Sequence, residues 1–476
     1  MTKVADTLSE AGHYTDIVQV AFNPEVRTIY PTKANLLELN LKESRVFVER
    51  ELATQKLMWN EVGILDFINL IRNFAEAVRD FCEELYRNDE LRELVKRKKY
   101  DIFLTETITC TEIALYRSGI EKSITVSATH PLEIFTERKG ILNAPAAVPG
   151  GAVGLPYKMN ILQRTWNLID NLAQKIVIKY LFMNPVLRIE EEIFGSYHNF
   201  DSLPGKTSYV MVNLHEIIDF PRPLTNQWVY IGGLRPVKPT KLDKSWDFLL
   251  SQPFGNIILV SFGTIAKAIC MKQELKSRFE EAMKQMPSTL FIWKYENETD
   301  AFASNLSNVI KKKWVPQVNL LNDSRVTAFL THGGISSLFE SVRAAKPVIT
   351  MPLFADQLRN AQILQSKGVS VSLSKSSSTD DIVNAIKEIS EPKYTRKMHA
   401  LSAALRDSPF SAEERLIKYV EFAADHNVTE FLNPEVLGFV EFYYLDLISF
   451  ILIVFVFLVS FIALAFRRHV TKSKLE

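Results

Sequence analysis

The stretch VTAFLTHGGISSLFESVRAAKPVITM, residues 326–351, alternates an apolar run, a glycine turn, a helical pattern and a second apolar run. The same order continues on both sides, with apolar runs at 257–262, 289–293 and 369–373 and helical patterns at 275–283, 357–367 and 380–389. Short apolar strands that alternate with helices are typical of a parallel sheet with helices on both faces. This part of the chain is therefore predicted to be a doubly wound α/β domain.

A second α/β domain is expected upstream, where strand-like runs at 100–105 and 123–127 lie among amphipathic helices. The segment 234–241 has two prolines and three positive charges and is typical of a semi-rigid linker. Ligands of open parallel sheets bind beyond the carboxyl ends of the strands, so the two domains should face a shared cleft. The predicted divisions are a first Rossmann-like domain at 1–235, a linker at 236–245, a second Rossmann-like domain at 246–430, a juxtamembrane segment at 431–447, a transmembrane helix at 448–466 and a basic tail at 467–476.

The composition excludes several classes of protein. Apolar residues make up 47% of the 476 residues and charged residues 23%, which is globular rather than disordered. Lys and Arg (56) balance Asp and Glu (55), so nucleic acid is not an expected partner. The three cysteines, Cys82, Cys110 and Cys270, are too widely spaced for a CxxC metal site and allow at most one disulfide.

The apolar run 448–466 contains no charged residue and approaches the roughly 30 Å thickness of a bilayer core. Tyr444 precedes the run and Arg467 and Arg468 follow it, which favours a membrane helix with a cytosolic tail over a buried helix. Lys472 and Lys474 resemble a dilysine endoplasmic-reticulum retrieval signal, and a generic basic flank is the alternative.

The first residues raise a conflict of topology. A lumenal domain needs a signal peptide, and residues 1–6 have no apolar core. Either the sequence is a truncated or processed form, or the chain inserts through its C-terminal helix alone and keeps its domains cytosolic. Four sequons, at Asn297, Asn305, Asn322 and Asn427, favour the lumen.

Polar residues follow the predicted strands of the second domain at the edge where a ligand is expected. After the first strand come Ser261, Gly263 and Thr264, where a glycine lets the backbone approach an anion and hydroxyls can donate to phosphate. Another strand is followed by Asp356 and Gln357, a carboxylate and an amide that suit sugar hydroxyls.

The loop 331–337 leads directly into the helix that carries Glu340. Backbone amides and the dipole at a helix N-terminus favour a bound anion, so this loop is a candidate diphosphate site. Its candidate ligand-binding positions are His332, Gly333, Gly334, Ser336 and Ser337.

Together these residues resemble the signature of the UDP-glycosyltransferase family, which includes the UDP-glucuronosyltransferases. The motifs are WVPQ at 314–317, THGG at 331–334 and PLFADQ at 352–357, with DFPRP at 219–223 and YIGGL at 230–234 upstream. The resemblance covers almost the whole chain. It implies the GT-B fold, in which two Rossmann-like domains bind the acceptor on the N-terminal side and the donor on the C-terminal side.

The resemblance also implies what each position does. Trp314 would stack on the uracil while backbone groups of Val315 read its edge. Gln317 and Glu340 would hold the ribose. The phosphates would be bound by His332, Ser336 and Ser337 with help from Thr264, and the transferred sugar by Asp356 and Gln357. No metal and no cofactor beyond the UDP-sugar co-substrate is expected, because the helix end and His332 would neutralise the diphosphate.

The general base of the family is a histidine just after the first strand, held by an acidic residue downstream. Residues 2–13 resemble the first helix and its end, so that strand and histidine would precede Met1. His13 lies at the wrong end of this helix to replace it. Glu106, at the end of a predicted strand, matches the acidic partner and is the catalytic candidate.

The leading hypothesis is therefore a membrane-anchored enzyme that moves a hexosyl or glucuronosyl group from a UDP-sugar to a hydroxyl of a small lipophilic acceptor, with inversion. Because the base histidine falls outside the sequence, the alternative is a non-catalytic membrane protein that binds nucleotide sugars. A cytosolic, tail-anchored protein is the third hypothesis. The family also implies self-association, as a homo- or hetero-oligomer whose state is open. The basic tail, the dilysine-like ending and the sequons favour a single-pass protein of the endoplasmic reticulum with lumenal domains.

Overall fold

The computed structural model describes residues 1–20, 32–39, 57–60, 64–106, 110–130, 133, 144–151, 153–196, 207–432, 439–442 and 444–473. The chain forms two compact units, Met1–Leu432 and Asn433–Glu476. Among the described residues, the first unit contains three parallel sheets, and the second unit contains the long apolar helix.

The strands are β1 (Asp16–Val20), β2 (Asn35–Leu39), β3 (Phe103–Glu106), β4 (Ser123–Ser127), β5 (Thr207–Val212), β6 (Trp228–Tyr230), β7 (Asn256–Ser261), β8 (Thr289–Lys294), β9 (Val309–Lys312), β10 (Ala328–Thr331), β11 (Val348–Thr350) and β12 (Ser370–Ser372). The strand pairs of all three sheets are parallel.

The helices are α1 (Thr2–Glu10), α2 (Ile64–Arg87), α3 (Asp89–Lys98), α4 (Thr111–Arg117), α5 (Ile161–Val177), α6 (Asn184–Phe194), α7 (Lys244–Leu250), α8 (Gln273–Lys284), α9 (Gln317–Asn322), α10 (Ile335–Arg343), α11 (Gln357–Lys367), α12 (Thr379–Ile389), α13 (Pro392–Arg406), α14 (Ala412–Asp425), α15 (Thr429–Leu432), α16 (Phe439–Phe442) and α17 (Leu445–Ser473). A π-helical turn, Ile178–Met183, joins α5 to α6, and short 3₁₀ turns lie at Glu216–Ile218 and Ala268–Cys270.

The second half of the first unit is built on a six-stranded sheet with the order β12-β11-β10-β7-β8-β9. Its two faces bury different residues of the same strand: Ile258 packs in one core cluster and Leu259 in another. Burial on both faces explains why the central strands β7, β8 and β10 are largely apolar rather than alternating. The doubly wound α/β fold predicted for this region is confirmed.

The first half carries a four-stranded sheet, β3-β4-β5-β6, and a separate pair, β1-β2. Helix α14 comes from the far end of the unit, yet its Leu416 and Val420 are buried with Ile124 and Met211 of this first sheet. The two halves are therefore tied together by the return of the chain as well as by the linker.

The one disulfide that the composition allows is formed. Cys82 of α2 and Cys110, next to α4, are bonded and buried, with their Cα atoms 5.7 Å apart. Cys270 is free. The bond joins α2 to the start of α4 in the core that covers the first sheet.

Helix α17 is longer than the run that predicted it. Its apolar portion is Leu445–Arg467, long and apolar enough to cross a membrane, and its described side chains are exposed. Large apolar side chains cover its circumference, which is expected for a helix surrounded by lipid.

Candidate functional site

The predicted donor loops lie at one edge of the six-stranded sheet, because the carboxyl ends of neighbouring parallel strands point the same way. Strands β7, β8, β10 and β11 end at Ser261, Lys294, Thr331 and Thr350. The contacts below show that the loops after them touch one another.

His332 lies between two glycines. A Cβ atom on Gly263 would approach its Cε1 to 2.8 Å, and one on Gly334 would approach its Nε2 to 2.6 Å. Gly263 and Gly333 also have φ angles of +79° and +84°, a region that favours glycine. The glycines thus make room for the imidazole, whose Nδ1 lies 3.3 Å from Oγ1 of Thr331.

The loop opens helix α10 with Gly334 at its N-cap, so the first amides of the helix point into the site. The two serines differ in environment: Ser336 is exposed and Ser337 is buried. On the facing loop, Ser261 is buried and Thr264 is exposed. An anion at the start of α10 would find the helix dipole and exposed hydroxyls together.

Gln317 and Glu340 meet across the site, as the prediction for a ribose pocket requires. The amide nitrogen of Gln317 donates to Oε2 of Glu340 at 2.6 Å and lies 3.4 Å from Oγ of Ser337. Burial raises the pKa of Glu340, opposed by the Gln317 hydrogen bond and by the charge of Lys3. Since Lys3 belongs to α1, the start of the first domain faces this pocket.

Trp314 is 70% exposed, whereas its neighbour Val315 is buried. The indole is therefore open to a ligand, as a stacking platform must be. The ammonium of Lys294 lies 5.5 Å from the centre of the indole ring and donates to the carbonyl oxygen of Gly263.

Asp356 and Gln357 stand side by side at the start of α11. Asn360 donates to Oδ2 of Asp356 at 2.8 Å and to the carbonyl oxygen of Gly333 at 3.1 Å, which couples the sugar loop to the phosphate loop. Oε1 of Gln357 accepts from the Leu353 amide at 2.9 Å, so the amide nitrogen is the group that can donate to a ligand. Burial raises the pKa of Asp356, and the Asn360 hydrogen bond opposes the shift.

The expectation that His332 helps to neutralise the diphosphate stays a prediction, and it concerns a ring that is uncharged in the ligand-free site. Burial, followed by the charge of Lys294, lowers the pKa of His332 to about 4, so the ring is neutral near pH 7. It can donate or accept a hydrogen bond but carries no charge. The positive charge that the loops offer comes from Lys294, which the sequence interpretation did not single out although it ends a strand of this sheet.

Glu106 is the last residue of β3, as predicted, and its Oε1 accepts from the backbone amide of Ala128 at 3.4 Å. His13 is exposed and follows the turn at the end of α1, and its Nε2 lies 3.2 Å from Oε1 of Glu421.

Within the described part of the chain, no group of three or more His, Cys, Asp or Glu side chains is arranged to hold a metal. The absence of a metal requirement stays a prediction.

A family model described as UDP-glucoronosyl and UDP-glucosyl transferase matches residues 1–475. The chain belongs to the UDP-glycosyltransferase family. Among curated relatives of this UDP-glycosyltransferase, UDP-glucuronosyltransferase 1A8 of Rattus norvegicus is 26% identical over 458 residues, 94% of this chain and 84% of the relative. UDP-glucosyltransferase 2 of Dactylopius coccus is 25% identical over 434 residues, 88% of this chain and 80% of the relative.

Solved glycosyltransferases share the fold of this UDP-glycosyltransferase. The glycotransferase of kitacinnamycin superposes with a TM-score of 0.59 at 17% identity, covering 91% of this chain and 95% of that one. Os79 of O. sativa, in complex with U2F and a trichothecene, gives a TM-score of 0.59 at 15% identity, covering 89% and 96%. The predicted GT-B architecture is thereby confirmed.

Proposed function

We propose that the protein transfers a hexosyl or glucuronosyl group from a UDP-sugar to a hydroxyl of a small lipophilic acceptor, with inversion at the anomeric carbon. The observation that carries this proposal is the convergence of an exposed indole, a buried ammonium, a glycine-flanked helix start and a Gln–Glu pair at one sheet edge. Sugar transfer from a UDP-sugar is the activity of the family to which the chain belongs.

In the proposed reaction the acceptor oxygen attacks the anomeric carbon from the face opposite the diphosphate. The bond from that carbon to the phosphate oxygen breaks, UDP leaves, and a general base takes the acceptor proton. Charge grows on the diphosphate as the bond breaks, and Lys294 with the amides of α10 stabilises it. Asp356 and Gln357 hold the sugar hydroxyls, and Glu106 would orient the histidine that the family uses as this base.

The donor platform is tested by replacing Trp314 with alanine. Stacking of a base on an aromatic side chain contributes about 1–3 kcal/mol, so the variant should bind UDP roughly 5- to 150-fold more weakly in calorimetry. Trp166→Ala is the matched control, because that indole is also exposed but lies in α5. Equal UDP affinity of Trp314→Ala and the parent chain would refute the stacking role.

We also propose that α17 anchors the protein in the endoplasmic-reticulum membrane with the unit Met1–Leu432 in the lumen. The buried Cys82–Cys110 disulfide supports this placement, because such bonds persist in oxidising compartments. The asparagines of the four sequons, Asn297, Asn305, Asn322 and Asn427, are exposed and so accessible to glycosylation.

Glycosylation gives the test of this topology. Expressed in eukaryotic cells, the chain should carry N-linked glycans that endoglycosidase H removes, with a visible increase in gel mobility. Replacing all four sequon asparagines with glutamine should abolish the shift. An unglycosylated chain whose unit Met1–Leu432 is digested by protease added outside intact microsomes would show a cytosolic orientation instead.

A further inference from the structure

Helix α5 directs polar side chains toward the core and apolar side chains toward the surface, which is the reverse of the usual arrangement. It buries two asparagines, Asn167 and Asn171, and turns large apolar side chains outward. A surface helix of a globular protein normally directs its apolar stripe to the core. The outward set, named here the α5 apolar face, comprises Leu162, Trp166, Ile169, Leu172, Ile176 and, one turn beyond the helix, Tyr180.

Hydrogen bonds on the inner side fix this orientation. The side chain of Asn167 accepts from the backbone amide of Gly150 at 2.9 Å and donates to the carbonyl oxygens of Pro145 and Val148 at 2.7 and 2.9 Å. Rotating the helix would leave these buried groups without partners, at about 1–3 kcal/mol for each. The fold therefore holds the apolar face outward.

We propose that the α5 apolar face lies in the headgroup region of a lipid bilayer. The proposal rests on membrane attachment through α17. Residues 433–444 alone connect Leu432 to Leu445, and an extended chain advances at most about 3.5 Å per residue. A chain attached to a bilayer through α17 therefore meets lipid at a high effective concentration.

The side chains of this region suit a lipid surface. Trp166 and Tyr180 are residue types that concentrate at membrane interfaces, where an apolar ring meets a polar layer. Arg164 and Lys179 are exposed beside the apolar side chains. Their stems can extend along lipid while their charges meet phosphate groups, whereas inside a protein–protein contact each would need a paired anion. Interfacial helices combine these features.

The position of α5 also connects lipid with the donor site. Tyr157, shortly before α5, stacks on Phe220 at 5.3 Å between ring centres. Gly154 lies against Leu358, the second residue of α11, which begins with Gln357. A lipophilic acceptor dissolved in the bilayer would therefore leave it close to the loop proposed to hold the sugar.

Fluorescence quenching by brominated lipid tests the proposal on the full chain in nanodiscs. All six tryptophans lie outside α17, so the membrane helix contributes no indole signal. Lipid brominated near the glycerol should remove most of the emission of Trp166, because bromine quenches indoles that it contacts. The lipid-dependent loss seen in the parent chain should then disappear in Trp166→Phe.

Two variants sharpen the result. Trp314→Phe removes the other exposed indole and should leave the lipid-dependent loss unchanged. Ile169→Glu combined with Ile176→Glu keeps Trp166 but places charge on the face, and should reduce its quenching. Circular dichroism checks that each variant is folded, and UDP binding adds a second check for the variants in α5.

Equal emission of the parent chain in brominated and plain lipid would overturn the proposal. A lipid-dependent loss of emission that persists in Trp166→Phe would also overturn it. Lipid-insensitive emission together with two chains in each nanodisc would assign the face to a contact between copies and would equally contradict the lipid assignment.

Discussion

Replacing Lys294 with methionine is expected to weaken UDP binding by about 10- to 100-fold while changing uridine binding by less than about twofold. Hydrogen bonds to charged groups contribute about 1.5–3 kcal/mol, and only UDP brings a charge to this ammonium. Methionine keeps most of the apolar stem and loses the charge. Calorimetry with the two ligands measures the difference directly.

The physical reason is that a diphosphate needs a nearby cation, and in the ligand-free site Lys294 is charged near pH 7 whereas His332 is neutral. Burial lowers the pKa of the Lys294 ammonium and the carboxylate of Glu296 opposes the shift, while a bound diphosphate would favour the charged form further. Lys294 donates to the Gly263 carbonyl in the loop proposed to face the phosphates. Its charge would stabilise bound UDP and also the diphosphate group that leaves during sugar transfer.

Lys311→Met is the matched control for this prediction. Lys311 lies on β9, opposite Trp293 of β8, is partly buried and donates to the carbonyl oxygen of Phe302 at 2.7 Å. It should change neither affinity. If Lys294→Met bound UDP as the parent chain does, the assignment of the charge would be wrong; equal weakening of UDP and uridine would indicate a structural role.

Asp219→Asn is expected to lower the free energy of unfolding of the unit Met1–Leu432 by about 3–5 kcal/mol. Asp219 accepts from Arg359 at 2.6 Å and from Arg222 at 3.2 Å, and the Asp219 and Arg359 side chains are 1% and 0% exposed. Although burial raises the pKa of Asp219, the two guanidinium groups hold it below its usual value. The asparagine would remove the carboxylate that pairs with both buried guanidinium groups.

Denaturant titration of the protein in detergent measures this loss. Asp407→Asn is the control: its partner is Arg406, both side chains are 72% exposed, and the change should stay within about 0.5 kcal/mol. Adding Arg359→Met to Asp219→Asn should recover part of the loss, because one unpaired charge is then removed. If the free energy of unfolding of Asp219→Asn were unchanged, the prediction would be wrong, and water or a local rearrangement would have to satisfy the two guanidinium groups.

The Asp219–Arg359 pair also explains how the sugar loop is held against the first half of the unit. Asp219 lies between β5 and β6, and Arg359 is in α11, two residues beyond Gln357. The pair therefore fixes the helix of the sugar loop against the first sheet. Breaking it should disturb the sugar loop as well as stability.

Much of the second half of the fold was predictable because its central strands β7, β8, β10 and β11 are largely apolar. The predicted helix 357–367 and strand 123–127 have the bounds that the structure shows. The donor loops were predictable too, because parallel strands bring their carboxyl ends to one edge. Gln317 and Glu340 meet there although they are 23 positions apart in the sequence.

Other features depend on contacts that a local pattern does not contain. The neutral state of His332 follows from its burial between Gly263 and Gly334. Periodicity alone would direct the apolar side of α5 inward, and only the hydrogen bonds of Asn167 reverse it. The Asp219–Arg359 pair joins residues 140 positions apart.

A crystal structure of the protein with bound UDP tests the central claim most directly. The account predicts the uracil on the exposed face of Trp314, the ribose at the Gln317–Glu340 pair and the diphosphate between Lys294 and the first amides of α10. A nucleotide bound elsewhere at saturating concentration, or an empty site with the indole turned into the core, would contradict it.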